Sequence, residues 1–150
     1  LWDTLIQKGF TRHSLLICVG GGSLSDLVGF VASCYLRGIK WYNYPTTLLA
    51  QVDAGLGGKT GLNHQGFKNI LGTFHPPELC ITVSEALESL SLRDYQAGWA
   101  EIIKYALILD PSILEWLTQN HQACLDRNLS QVTEITERCL SLKSKIVDAD

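Results

Sequence analysis

With 150 residues and 46% hydrophobic content the chain is long enough to bury a real core, and its formal net charge of −3 offers no basic face to nucleic acid, so no nucleic-acid partner is expected. No apolar run approaches the roughly 20 residues that cross a bilayer, and no signal-peptide pattern opens the chain, so no membrane partner is expected. The five cysteines, Cys18, Cys34, Cys80, Cys124 and Cys139, are scattered without a C-x-x-C pair and read as reduced thiols of a cytoplasmic protein.

The chain begins at Leu1, contains no Met, and ends over residues 145–150 in a helical pattern, which reads as an internal piece of a longer protein. Residues 14–19 form a continuous apolar run before Gly20-Gly21-Gly22, as expected of a strand buried on both faces of a parallel sheet. Over residues 25–36, Leu27, Phe30, Val31 and Cys34 recur at helical spacing, with Gly38 placed to stop the helix. Residues 39–44 read as a second strand, closed by Pro45, which completes a βαβ unit. The glycine turn inside that unit directs backbone N–H groups and the positive end of a helix dipole at whatever sits there. It misses the dinucleotide pattern G-x-G-x-x-G at Ser25, so an anion site and a plain turn capped by Ser25 or Asp26 stay equally open.

Residues 47–52 start another helix, broken by a glycine-rich stretch over 55–61 that reads as a loop near a ligand. Gly58-Lys59-Thr60 resembles the end of a Walker A loop, but the required first glycine would fall at Asp53, so it is not a P-loop. Lys59, with Lys68 and Asn69 further on, suits a phosphate; the alternative is a pair of solvated lysines. A short third strand covers 79–83, and helical patterns take over near Ser84. Residues 97–109 form a helix, and Asp110-Pro111 then supplies a cap and a first residue for a helix over 112–125. A last helix from about residue 130 aligns Leu129, Val132, Ile135, Cys139, Leu142 and Ile146. Glu101 and Lys104 share a face of the first of these helices, which is otherwise apolar nearly all round, so the carboxylate needs a cation. A metal ion or Lys104 would serve, and the spacing favours the lysine. His13, His64, His75 and His121 show no mutual metal-ligand spacing, and no nucleophile motif is present. The fold class is α/β: a partial parallel-sheet nucleotide-binding domain over 1–84, followed by the start of an all-α domain for metal and substrate over 85–150.

Taken in order, GGGSLSDLVGF, YLRG, PTTLLAQVD, GGKTGLN, KNILG and AEIIKY resemble the dehydroquinate synthase family over almost the whole chain. The resemblance implies a lyase of the shikimate pathway that converts the small-molecule sugar phosphate 3-deoxy-arabino-heptulosonate 7-phosphate to 3-dehydroquinate and phosphate. It implies NAD, reduced and regenerated in each turnover, and zinc, with cobalt as a substitute. It also implies a homodimer. Gly20, Gly21, Gly22, Asp26, Thr46 and Thr47 would hold the cofactor. Asp53, Lys59, Lys68, Asn69 and Lys104 would line the pocket, Lys143 would be a further substrate lysine, and Arg37 would reach substrate phosphate across the dimer interface. Glu101 would be a zinc ligand, its two histidine partners lying beyond Asp150.

Three departures from the family pattern bear on the pocket: Ser25 for glycine, Ala54-Gly55 for serines, and Phe67 for the glycine before Lys68. Asp53-Ala54-Gly55 and Phe74-His75-Pro76-Pro77-Glu78 also resemble other sugar-phosphate cyclases, whereas Gly57-Gly58-Lys59-Thr60 favours dehydroquinate synthase. A metal-dependent alcohol or glycerol dehydrogenase shares the glycine turn and two-domain plan. A remnant that only binds nucleotide or a partner subunit is a third reading.

Overall fold

The computed structural model describes residues 1–149; Asp150, the last residue of the terminal helical pattern, lies outside them. The chain folds as two compact units, Leu1–Pro45 with Gly58–Ile81, and Thr46–Gly57 with the residues from Thr82 onward.

In the first unit the βαβ pattern is present. Strand β1 (Leu15–Gly20) is followed by helix α2 (Gly22–Cys34) and strand β2 (Lys40–Pro45), after a short helix α1 (Trp2–Gln7). β1 and β2 pair in parallel from Leu15 opposite Lys40 to Gly20 opposite Pro45. Leu79–Cys80 adds a parallel strand beside β2, which gives a three-stranded sheet. Its core joins Leu5, Cys18, Val31, Ala32, Tyr35, Ile39 and Trp41. Only one face of β1 is covered: Cys18 is 1% exposed, against 65% for Ile17 and 58% for Val19. The expected two-sided burial is therefore half met, because no element of this unit lies over the outer face.

The expected loop over 55–61 is corrected by the structure. Strand β3 (Lys59–His64) begins inside it and pairs antiparallel with β4 (Phe67–Phe74), from Lys59 opposite Phe74 to Leu62 opposite Leu71. Gln65 and Gly66 turn the hairpin with φ of 49° and 83°, the left-handed pair that matches strand twist. Two glycines of the hairpin serve close approach rather than flexibility: a Cβ on Gly61 would stand 2.9 Å from the Leu71 carbonyl oxygen, and one on Gly72 2.4 Å from the Thr60 carbonyl oxygen. α2 rests on this hairpin equally tightly, since a Cβ on Gly29 would lie 2.4 Å from Thr60 Cγ2 and 2.9 Å from the Trp41 ring.

The second unit is built on α3 (Leu92–Ile108), α4 (Ser112–Leu125) and α5 (Leu129–Val147). Each N-terminus has a side-chain acceptor: Ser91 Oγ for Asp94 N–H (3.1 Å), Asp110 Oδ1 for Ser112 N–H (3.0 Å) and Asn128 Oδ1 for Ser130 N–H (3.1 Å). The core gathers Tyr95, Ile102, Tyr105, Ile113, Val132, Ile135 and Cys139, and it takes in Leu48 and Val52. Whereas the sequence suggests one boundary near Ser84, the segment Thr46–Gly57 groups with these helices. Leu48 and Val52, both 0% exposed, are buried among helical side chains, which is the physical reason. Among the described residues no helix is long and apolar enough to cross a membrane.

Candidate active site

In the helical unit, the chain after Leu49 widens into a π-helical turn over Ala50–Ala54, closed by the Gly55 N–H on the Ala50 carbonyl at 2.7 Å. Such turns recur at functional sites because they re-aim a side chain within a helix. Here the re-aimed residue is Asp53. Its Oδ1 accepts from Lys143 Nζ of α5 at 2.6 Å and from the Tyr105 hydroxyl of α3 at 3.1 Å. One turn before Tyr105 on α3, Glu101 forms an ion pair with Lys104, the partner that the spacing favoured. Glu101 Oε2, the oxygen that faces Lys104, is itself buried.

Burial pushes the Asp53 carboxyl upward, but the hydrogen bond and charge of Lys143, the Tyr105 hydroxyl and the charge of Lys104 outweigh it and hold Asp53 below the usual carboxylate range. The Glu101 hydrogen bond and charge raise Lys104, against a smaller opposing effect of burial. Because the folded-state value of Asp53 is depressed, its stabilisation is complete above the unfolded carboxylate range and is lost as pH falls through the folded value. In urea titrations the stability gap between the native protein and D53N is therefore expected to be widest near neutrality and to close below about pH 4.

The sheet unit brings a second set together. Asp26, Lys59 and Asn69 line one pocket of about 370 Å³ with Thr60, Gly72 and Thr73. Thr60 is fixed there by Thr73, whose hydroxyl lies 2.7 Å away and also donates to Ser33 of α2 at 2.9 Å. Lys68 and Asn69 sit where the β3–β4 register shifts, and Asn69, at φ 52°, gives its N–H to Asn63 Oδ1 at 2.8 Å. Burial raises Asp26, and the nearby charge of Lys68 partly offsets this. Gly20-Gly21-Gly22 stand where β1 meets α2. The N-cap residue Gly21 has no side chain to cap the helix, and no acid occupies the first turn, so the turn suits an anion. Neither Ser25 nor Asp26 caps this end: the buried Ser25 hydroxyl donates back to the Gly22 carbonyl at 2.9 Å.

Arg37 is not in that group. It lines a different pocket, with Arg12, Lys40 and His75, and follows Leu36 in left-handed backbone at φ of 50° and 70°. Thr46 and Thr47 belong to the helical unit, where Thr47 Oγ1 accepts the Ala50 N–H at 3.2 Å and so starts the turn that carries Asp53. The residue that sequence reasoning missed is Tyr105. It appeared only as part of an apolar helix, and its bond to Asp53 joins positions 52 apart, which no local pattern signals.

Among the described residues no three of His, Cys, Asp and Glu are grouped to hold a metal ion. Glu101, whose buried Oε2 is paired with Lys104, could supply one carboxylate ligand and no more. All five cysteines are free thiols, and burial pushes Cys18 to about 11, Cys124 to about 11 and Cys139 to about 12, which leaves these three inert.

Two family models match end to end, 3-dehydroquinate synthase N-terminal over residues 1–97 and 3-dehydroquinate synthase C-terminal over residues 98–150. Among curated relatives, the 3-dehydroquinate synthase of Dichelobacter nodosus is 48% identical over 98% of this chain and 40% of its own length. That of Streptomyces avermitilis is 45% identical over 99% of this chain and 41% of its own, and that of Geobacter metallireducens 42% over 100% and 42%. The chain thus spans about 40% of the length of these relatives. Among solved structures, 2-epi-5-epi-valiolone synthase from Streptomyces hygroscopicus, with NAD+ and Zn2+ bound, superposes with a TM-score of 0.88 at 33% identity, covering 93% of this chain and 40% of that one. A 2-deoxy-scyllo-inosose synthase complexed with carbaglucose-6-phosphate, NAD+ and Co2+ gives 0.82 at 26% identity, covering 97% and 40%.

Proposed function

We propose a phosphate-eliminating, ring-closing lyase activity for this protein, from the premise that the chain belongs to the 3-dehydroquinate synthase family. The substrate is 3-deoxy-arabino-heptulosonate 7-phosphate and the products are 3-dehydroquinate and phosphate. The observation that carries this reading is the Asp53 cluster, in which Lys143, Tyr105 and the Glu101–Lys104 pair converge on the π-helical turn.

Bound NAD would accept and later return one hydride, and bound zinc, or cobalt in its place, would polarise the oxygen carried by the substrate carbon from which that hydride departs. The chain's own residues orient and neutralise. Asp53 offers its outer oxygen to a substrate hydroxyl, and Lys143 and Lys104 balance the anionic substrate beside it. Asp26, Lys59 and Asn69, with the charge of Lys68 nearby, form the polar lining of the sheet-unit pocket, which would contact substrate and cofactor. Gly20-Gly21-Gly22 would present N–H groups to the cofactor pyrophosphate, while Thr46 and Thr47 would lie along the cofactor. Glu101 would give one metal ligand, the others coming from the rest of the protein. Arg37, exposed and with no ion pair among the described residues, would reach substrate phosphate across a homodimer interface. Free thiols, three of them buried, suit a cytoplasmic enzyme.

Phosphate release by the full protein tests this directly. It is expected to require NAD, to stop on treatment with a chelator, and to return with zinc or cobalt. Release that ignores both NAD and chelation would overturn the assignment.

A further inference from the structure

We infer that Tyr105 is a positioning residue for this reaction, its hydroxyl fixing Asp53 so that one carboxylate oxygen is committed to the protein and the other is presented to substrate. The inference rests on the reading of Asp53 as a substrate-contacting group. The Tyr105 ring is 2% exposed and locked in the helical core. From there its hydroxyl reaches two acceptors on consecutive residues, the Val52 carbonyl at 3.1 Å and Asp53 Oδ1 at 3.1 Å. It thereby ties the backbone of the π-helical turn and the side chain that the turn re-aims.

Lys143 alone would not fix that side chain. An ammonium on a flexible stem is a point charge that can follow a rotating carboxylate. A phenol on a buried ring cannot follow, so two donors on the same Oδ1, one at 2.6 Å and one at 3.1 Å, define the carboxylate plane. Oδ2 accepts no hydrogen bond among the described residues, and the side chain is 25% exposed, so this oxygen is the one available to a ligand. A substrate hydroxyl held by Oδ2 inherits its place from Tyr105. Misplacement of about 1 Å at a reacting centre lowers rates about 100-fold, which makes this constraint kinetically visible.

The competing explanation is that Tyr105 is core filling whose hydroxyl merely satisfies the Val52 carbonyl. A double-mutant cycle in the full protein separates the two. Y105F keeps the ring and is expected to lower kcat by about 10-fold or more, within the range attributed to lost positioning. The acid limb of its kcat/KM profile is expected to move to higher pH, because Asp53 loses a donor to its charged form. In a D53A background, where no side-chain acceptor is left for the hydroxyl to fix, the same change should have little further effect. Unchanged kcat in Y105F, or an equal loss in both backgrounds, would overturn the inference while leaving the lyase assignment standing. Wild-type turnover in D53N would instead remove the reading of Asp53 on which the inference rests. Should Y105F not fold, fluorotyrosine at position 105 retains ring and hydroxyl and donates more strongly; the acid limb is then expected at lower pH, and an unmoved limb would overturn the inference.

Discussion

Asparagine in place of Asp53 is expected to lower kcat/KM for phosphate release by about 100-fold, with a loss of stability of only about 1 kcal/mol. The asymmetry follows from what asparagine retains. It has the same shape, and its carbonyl oxygen can still accept from Tyr105 and Lys143, so the helical core keeps its contacts. What disappears is the negative charge opposite Lys143 and the anionic acceptor that would orient a substrate hydroxyl. Steady-state phosphate release and urea unfolding on the same preparations check both halves. A stability loss as severe as the kinetic one would assign Asp53 a structural role.

Alanine in place of Gly98 sets two effects of opposite sign against each other. Gly98 lies inside α3, where helix propensity alone would make alanine stabilising by about 1 kcal/mol. The new Cβ, however, would fall 2.6 Å from Leu48 Cβ and 2.8 Å from the Leu49 backbone nitrogen. Neither atom can swing away as a side-chain tip can, so the helix and the segment that leads into the π-helical turn must separate. Overpacking of this kind destabilises by about 1–3 kcal/mol, which exceeds the propensity gain. G98A is therefore expected to unfold at lower urea and, because the displaced segment carries Asp53, to lose activity as well. A variant more stable than the parent would show that the contact relaxes freely.

The βαβ unit and the three helices were legible in the sequence because they rest on local periodicity and on caps such as Asp110. The β3–β4 hairpin was not. Its glycines at 61 and 72 look like flexibility until the partner strand is in place, and Gln65-Gly66 is a weaker turn signal than Asn-Gly. The placement of Thr46–Gly57 with the helices was equally hidden, since Leu48 and Val52 follow a strand directly and their core partners come later in the chain. In the candidate site, Glu101 with Lys104 could be read from a spacing of three on one helix. Asp53 with Lys143 could not, because that bond spans 90 positions. The motif resemblance named both residues without indicating that they meet.

The central claim, a lyase in which the nicotinamide is reduced and regenerated within each turnover, is tested most directly by following phosphate and NADH together in one reaction of the full protein. Phosphate is expected to accumulate through many turnovers on catalytic NAD with no net rise in NADH absorbance. A steady rise in NADH, in proportion to substrate consumed or from a simple alcohol, would contradict it and point to a dehydrogenase.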